Sequence, residues 1–398
     1  MNIKKLRFST SIGFSLVVAV STILLGATTA SAQCNELISG LREPLGTALT
    51  NQGNLLVSET GTTTLNSGRI SIIDPNGNRR TLLDGLPSAI NDVNEPAGPA
   101  GLFMRGRTLY VAVGVGDVGR AGPFPGTTIP NPAGPSSPNF SSVLSIQFSA
   151  QTENITSGFV LTTANQQALA NGQTVTLSNG GEDQIMIRMV ADFPDFIPFP
   201  LPAFAGNIQL SNPFQLLAVE NTLYVTDGGR NLVWQIDLLT GSFSALVNFP
   251  RIPNPLFGIV PAGGPFLDAV PTGIAVAGDQ LLVTLFRGVP FPPGTSTVEQ
   301  VDPLTGSDTA FITGLKTAID ILPIATGDGT SYLVLEHASI GPFFGSPGRV
   351  LRFDTPAGPP TVIANCLTRP TTMTLDRKAG TLYVSEYGGR IVAIPFVP

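Results

Sequence analysis

The chain has 398 residues, with 21 Lys and Arg against 27 Asp and Glu and a net charge of −6 at neutral pH. That balance argues against nucleic acid as a partner, because such binding rests on cationic neutralisation of phosphates. Charged residues are only 12% of the chain, against roughly 25% in an ordinary globular domain, while 42% are hydrophobic and 35 are proline. Such a chain can bury a large core and still carry apolar loops outside.

Residues 1–32 read as an export signal: Lys4, Lys5 and Arg7 precede an apolar run from Ile12 to Leu25, and Ala30-Ser31-Ala32 offers a small-residue cleavage site. The run is broken by Gly13, Ser15 and Ser21 and is shorter than the roughly 20 apolar residues of a membrane span. No other stretch reaches that length, so no membrane span is expected. Gln33 stands where a lipid-attachment cysteine would require a small residue, which argues against an anchor at Cys34. The expected product is extracytoplasmic, periplasmic or secreted, and runs from Gln33 to Pro398. It holds 18 basic residues against 27 acidic ones, since three of the basic residues lie in the signal.

From Gln33 onward one pattern recurs: an outer segment ending in Gly-Leu, then Pro-x-Gly, a short apolar strand, a polar turn, Leu-Tyr-Val, a loop, and a third strand ending in Asp before a turn. Its copies begin at Pro44-Leu45-Gly46, Pro99-Ala100-Gly101, Pro213-Phe214-Gln215, Pro271-Thr272-Gly273, Ala318-Ile319-Asp320 and Pro370-Thr371-Thr372. The matching second strands centre on Leu56, Tyr110, Tyr224, Leu282, Leu333 and Tyr383. Copies lie about 40 to 55 residues apart, except that the second carries an insertion near 150–208. Four short strands per unit, separated by Gly, Pro and Asp turns, predict an all-β, six-bladed β-propeller with four-stranded blades in one domain, 33–398. Asp74, Asp237, Asp302 and Asp354 head tight turns between third and outer strands. Glu36 to Leu41 has the register of an outer strand without inner strands before it, so it is expected to complete the last blade and remove two open edges. An oxidising compartment permits a bridge between Cys34 and Cys366, but this register puts them at opposite rims of neighbouring blades, which argues against one.

In such a blade the second-to-third loops and the blade-to-blade connections share one face. That face is expected to hold every long loop, and function with it. Pro123-Phe124-Pro125, Pro290-Phe291-Pro292 and Pro342-Phe343-Phe344 occupy second-to-third loops, and Phe257 lies in a connection. They read either as loops that stiffen and pack on themselves or as an aromatic rim for a flat apolar ligand or a partner protein. His337, the only histidine, sits on the same face and excludes a multi-histidine zinc site. Second strands end at Glu59, Asp227, Glu336 and Glu386, each with an arginine near the next strand: Arg69, Arg230, Arg349 and Arg390. Acid and arginine occur together in the same copies, which reads as a structural ion pair repeated blade by blade. Asp320 replaces the glycine of Pro-x-Gly, and Asn91, Asp92 and Asn212 lead to the same channel mouth. These oxygens read either as ligands for Ca²⁺ or Mg²⁺ or as groups bonded to nearby backbone.

The run from Val270-Pro271-Thr272-Gly273 through Arg287-Gly288-Val289-Pro290-Phe291 and Val298-Glu299-Gln300-Val301-Asp302-Pro303 to Ile319-Asp320 resembles the ScyD/ScyE family of exported bacterial propellers. So does Ser211-Asn212-Pro213-Phe214 with Leu223-Tyr224-Val225-Thr226-Asp227. The resemblance spans nearly all of the expected mature chain. It implies a place in extracytoplasmic maturation or export of an aromatic pigment such as scytonemin, with an apolar or aromatic small molecule or another exported protein as partner. The family is similar to NHL-repeat propellers and, more distantly, to gluconolactonase-like propellers. The latter likeness implies an alternative, a divalent-metal-dependent lactonase or esterase, although only Asp320, Asn91, Asp92 and Asn212 come near the ligand set it needs.

Overall fold

The apolar triplets become second strands buried on both sides. In blade one all five residues of Leu55–Glu59 are buried, because a blade packs a neighbour against each of its faces. Successive strand residues point to opposite faces, so Leu216, Val225 and Trp234 pack on Ala100 and Ala112 of the preceding blade. Leu217, Tyr224 and Val233 pack on Ile274 and Val283 of the following one.

A computed structural model describes residues 33–327, 329–345 and 347–396; the export-signal reading of residues 1–32 falls outside them. It is a six-bladed β-propeller. The inner strands are Pro44–Leu49, Pro99–Arg105, Pro213–Val219, Pro271–Ala277, Ala318–Thr326 and Pro370–Asp376. Each begins an antiparallel meander outward. The ring closes as expected: Asn35–Ile38 pairs with Arg390–Pro395, Asn35 opposite Ala393, as the outer strand of blade six. Among the described residues no helix is long and apolar enough to cross a membrane.

Two features differ from the sequence reading. The inserted residues belong to the third-to-outer connection of blade two, on the turn side rather than the loop face. Ser142–Phe148 pairs with the outer strand Gln184–Asp192. Between them lie two short helices, Ala150–Ile155 and Thr163–Ala170, whose first turns are capped by Ser149 and Thr162. Phe159–Val160 adds in parallel to blade one's outer strand, and Val175–Ser178 adds to blade two's own. Residues 193–212 are instead the passage to blade three.

The second difference is that Cys34 and Cys366 form a disulfide, with a Cα separation of 6.3 Å. Strand twist explains why the rim argument fails. Each strand is rotated roughly 20–25° from the last, so an outer strand is turned well away from the channel axis. Position along it no longer reports height.

Candidate functional site: the channel mouth

The inner strands crowd the axis. A Cβ on Gly46, Gly101 or Gly273 would overlap Ala100, Gln215 or Asp320 of the next blade. Where the other three blades lack that glycine, their side chains close the channel. Gln215 Nε2 donates to Thr372 Oγ1 at 3.0 Å, and Thr372 Oγ1 donates to Asp320 Oδ2 at 3.0 Å. Asp320 also accepts the backbone N–H groups of Met373 (2.8 Å) and Ile321 (2.9 Å). Burial pushes its carboxyl up to about 6, against the pull of those donors.

One residue nearer the loop face, Leu45, Ala100, Phe214, Ile319 and Thr371 floor a cavity of about 190 Å³. Phe286, His337 and Phe344 make one wall, and Phe291 packs behind them. Phe291 stacks on Phe344 with centroids 4.5 Å apart and planes 16° from parallel. Phe286 meets Phe291 edge-on at 5.5 Å, and the His337 ring lies 4.8 Å from Phe344 and 5.6 Å from Phe286. His337 Nδ1 lies 2.9 Å from the Pro370 carbonyl, and Arg369 Nε donates to Nε2 at 3.3 Å. These bonds fix a neutral ring with its proton on Nδ1. Burial holds His337 down to about 4; the Pro370 carbonyl opposes this, and the charges of Arg369 and Lys316 reinforce it. The Arg369 guanidinium spans Tyr387 (4.5 Å) and Phe344 (5.4 Å) and pairs with Glu95 at 3.3 Å.

Of the residues read as the rim, Phe291, Phe344 and His337 come together here. Phe343 does not line the cavity; its backbone N–H donates to Pro290 at 2.7 Å. Phe124 packs edge-on against Phe204 at 6.1 Å, and Phe257 is 57% exposed and apart from both. The aromatic surface is therefore a patch over blades four and five rather than a ring.

Phe286, Tyr387 and Arg369 escaped the sequence reading. A signal for two of them was present, since Phe286, His337 and Tyr387 each stand one residue beyond the second strand, in three successive blades.

The four oxygen-bearing candidates lie at different depths. Asp320 is beneath the floor, with its oxygens already occupied. Asn212 Oδ1 accepts the Val115 N–H at 3.1 Å, Asn91 Oδ1 accepts those of Val93 and Glu95, and Asp92 accepts the Thr128 hydroxyl. Among the described residues no three His, Cys, Asp or Glu side chains converge. This set does not fit a cation such as Ca²⁺, which takes six to eight oxygens.

The strand-end acids are structural clamps. Arg69 pairs with Glu59 at 2.7 Å, Arg349 with Glu336 at 2.5 Å, and Arg390 with Glu386. The same acids accept backbone N–H groups of Arg42 (2.7 Å), Lys316 (2.9 Å) and Thr368 (2.7 Å), just ahead of their own inner strands. Asp227 departs from the pattern in its partners. It accepts from Asn212 N (2.7 Å) and Trp234 Nε1 (3.0 Å) and bonds to Ser211, while Arg230 supplies its backbone N–H at 3.0 Å.

Fold and mouth together define a six-bladed β-propeller with a closed channel and an aromatic cavity at one end. No protein-family model matches the chain, and no curated protein does. Among solved structures it is similar to virginiamycin B lyase from Staphylococcus aureus, with 15% identity, 92% of this chain and 99% of that one covered, and a TM-score of 0.44. It is similar also to a gluconolactonase from Xanthomonas campestris (12%, 92% and 90%, TM-score 0.46). A third is a putative glucose dehydrogenase from Thermus thermophilus (15%, 91% and 99%, TM-score 0.45). At these identities no residue's role is carried over from any of them.

Proposed function

We propose that this protein is an exported binding propeller whose channel mouth takes a flat apolar or aromatic small molecule. The observation that carries the reading is the wall of Phe286, His337 and Phe344, backed by Phe291, along a cavity on the face where the loops converge. Stacked rings with exposed edges are suited to another ring, and Phe344 is still 38% exposed. The disulfide supports an extracytoplasmic home. The ScyD/ScyE resemblance makes maturation or export of an aromatic pigment such as scytonemin the process to which such binding would belong. The metal-dependent lactonase or esterase reading draws no support from the oxygens around Asp320.

The test is titration of 1-anilinonaphthalene-8-sulfonate and 2-naphthol into the purified protein and into a Phe344→Ser variant. A fully buried ring is worth roughly 1.5 to 3 kcal/mol, so losing Phe344 is expected to weaken binding by about tenfold or more. Unchanged affinity with a native circular dichroism spectrum would sink the reading.

A further inference from the structure

The mouth cavity is smaller than the roughly 300–1,000 Å³ of ordinary small-molecule sites, and it does not end at its own rim. Asn91 and Asn212 line it and also line a second cavity of about 350 Å³, toward the hairpins that join blades two, three and four. The second cavity has a different chemistry. Among aliphatic side chains and Phe199, its walls present Asp92, Gln209, Arg251 and Asp268.

Backbone bonds fix which atoms these side chains offer. Because Oδ1 of Asn91 and of Asn212 already accept N–H groups, each amide's NH₂ is left as a donor. Gln209 is held the other way: its Nε2 donates to the Gly229 carbonyl at 2.8 Å, leaving Oε1 as an acceptor. Asp92 spends one oxygen on Thr128 and retains Oδ1. Asp268 uses Oδ1 for Asn231 (3.0 Å) and Arg251 (2.8 Å) and retains Oδ2. Donors and acceptors are thus interspersed, and the two acids are half balanced by Arg251. Hydroxyl groups, which donate and accept at once, match this set. An apolar ligand would leave these groups unpaired where they are buried, which disfavours it.

We infer that the loop face binds an amphipathic ligand, an aromatic ring system joined to a sugar or similar neutral polyol. The ring lies in the mouth against Phe344, and the polyol lies in the adjoining cavity. The ring half rests on the function proposed above; the polyol half rests on the second cavity alone.

Calorimetric titration with 2-naphthol, with methyl glycosides, and with 2-naphthyl β-glycosides of glucose, galactose and mannose separates the halves. At least one naphthyl glycoside should bind about tenfold tighter than 2-naphthol. Asp92→Ala/Gln209→Ala should abolish that gain and leave 2-naphthol affinity unchanged, whereas Phe344→Ser should weaken both probes in parallel. If no naphthyl glycoside exceeds 2-naphthol, or if the gain survives in the double variant, the polyol half is overturned and the aromatic reading stands. If a methyl glycoside binds and 2-naphthol does not, the joined ligand is overturned together with the aromatic reading.

Discussion

His337 shows how one side chain ties the mouth to pH. In the unfolded chain it titrates near 6.5; in the fold, burial first and the nearby cations after it hold it down to about 4. Between these values the unfolded chain takes up a proton that the folded one refuses. The contribution is therefore complete above pH 6.5 and is lost as pH falls towards 4, on the order of 3 kcal/mol. Asp320 has the opposite sign. Its folded pKa is raised to about 6, so its contribution is greatest below its unfolded pKa and drains as pH rises through 6. Urea unfolding midpoints at pH 7 and pH 4.5 should accordingly fall less in His337→Gln than in the parent. An equal fall in both would show that His337 is not the group responsible. Glu386→Gln belongs to the clamps instead: it should cost about 1–3 kcal/mol of stability, because Arg390 and the Thr368 N–H lose a charged acceptor. Affinity for 2-naphthol should not change, and its loss in a folded variant would make the acid functional.

At the scale of elements, the four residues Asn35–Ile38 carry more than their length suggests. They supply blade six with its outer strand, and the disulfide beside them ties that strand to blade five. Cys34→Ser/Cys366→Ser should lower stability by about 2–4 kcal/mol, and removal of 33–41 should lower it further, in one cooperative transition seen by calorimetry. A separate low-temperature transition confined to one blade would contradict closure by this strand. The strands themselves were legible because each copy repeats an apolar triplet after a polar turn, and burial on both faces demands that pattern. The added strands Phe159–Val160 and Val175–Ser178 were not legible. They satisfy outer edges of two blades, a need that arises only once the blades exist. A hydroxyl position was also passed over: Ser58 and Thr226, one residue before the strand-end acid, each bond to an inner-strand carbonyl of the next blade.

Over the whole molecule, the sequence expects the long loops on one face, and some of the residues it singles out there meet around the mouth cavity. Phe291 and Phe344 stand out by loop composition and His337 by its place after a second strand, and the structure clusters their rings; Asn91 and Asn212, read as cation ligands, lie on the cavity lining with their Oδ1 atoms bonded to backbone. The reading of a full aromatic rim went too far because composition counts rings without saying which loops converge. Phe214, Phe286, Arg369 and Tyr387 were missed because each sits at a strand end, where a repeat compared copy by copy reads it as framework. Their meeting depends on neighbouring blades facing one axis.

The plug formed by Gln215, Thr372 and Asp320 makes the molecule a cup rather than a pipe. Whatever enters the mouth must leave by the mouth, so uptake and release compete for one doorway and nothing is handed through to the far side. Fixing the protein to a surface by its opposite face should therefore leave both rates as they are in free solution.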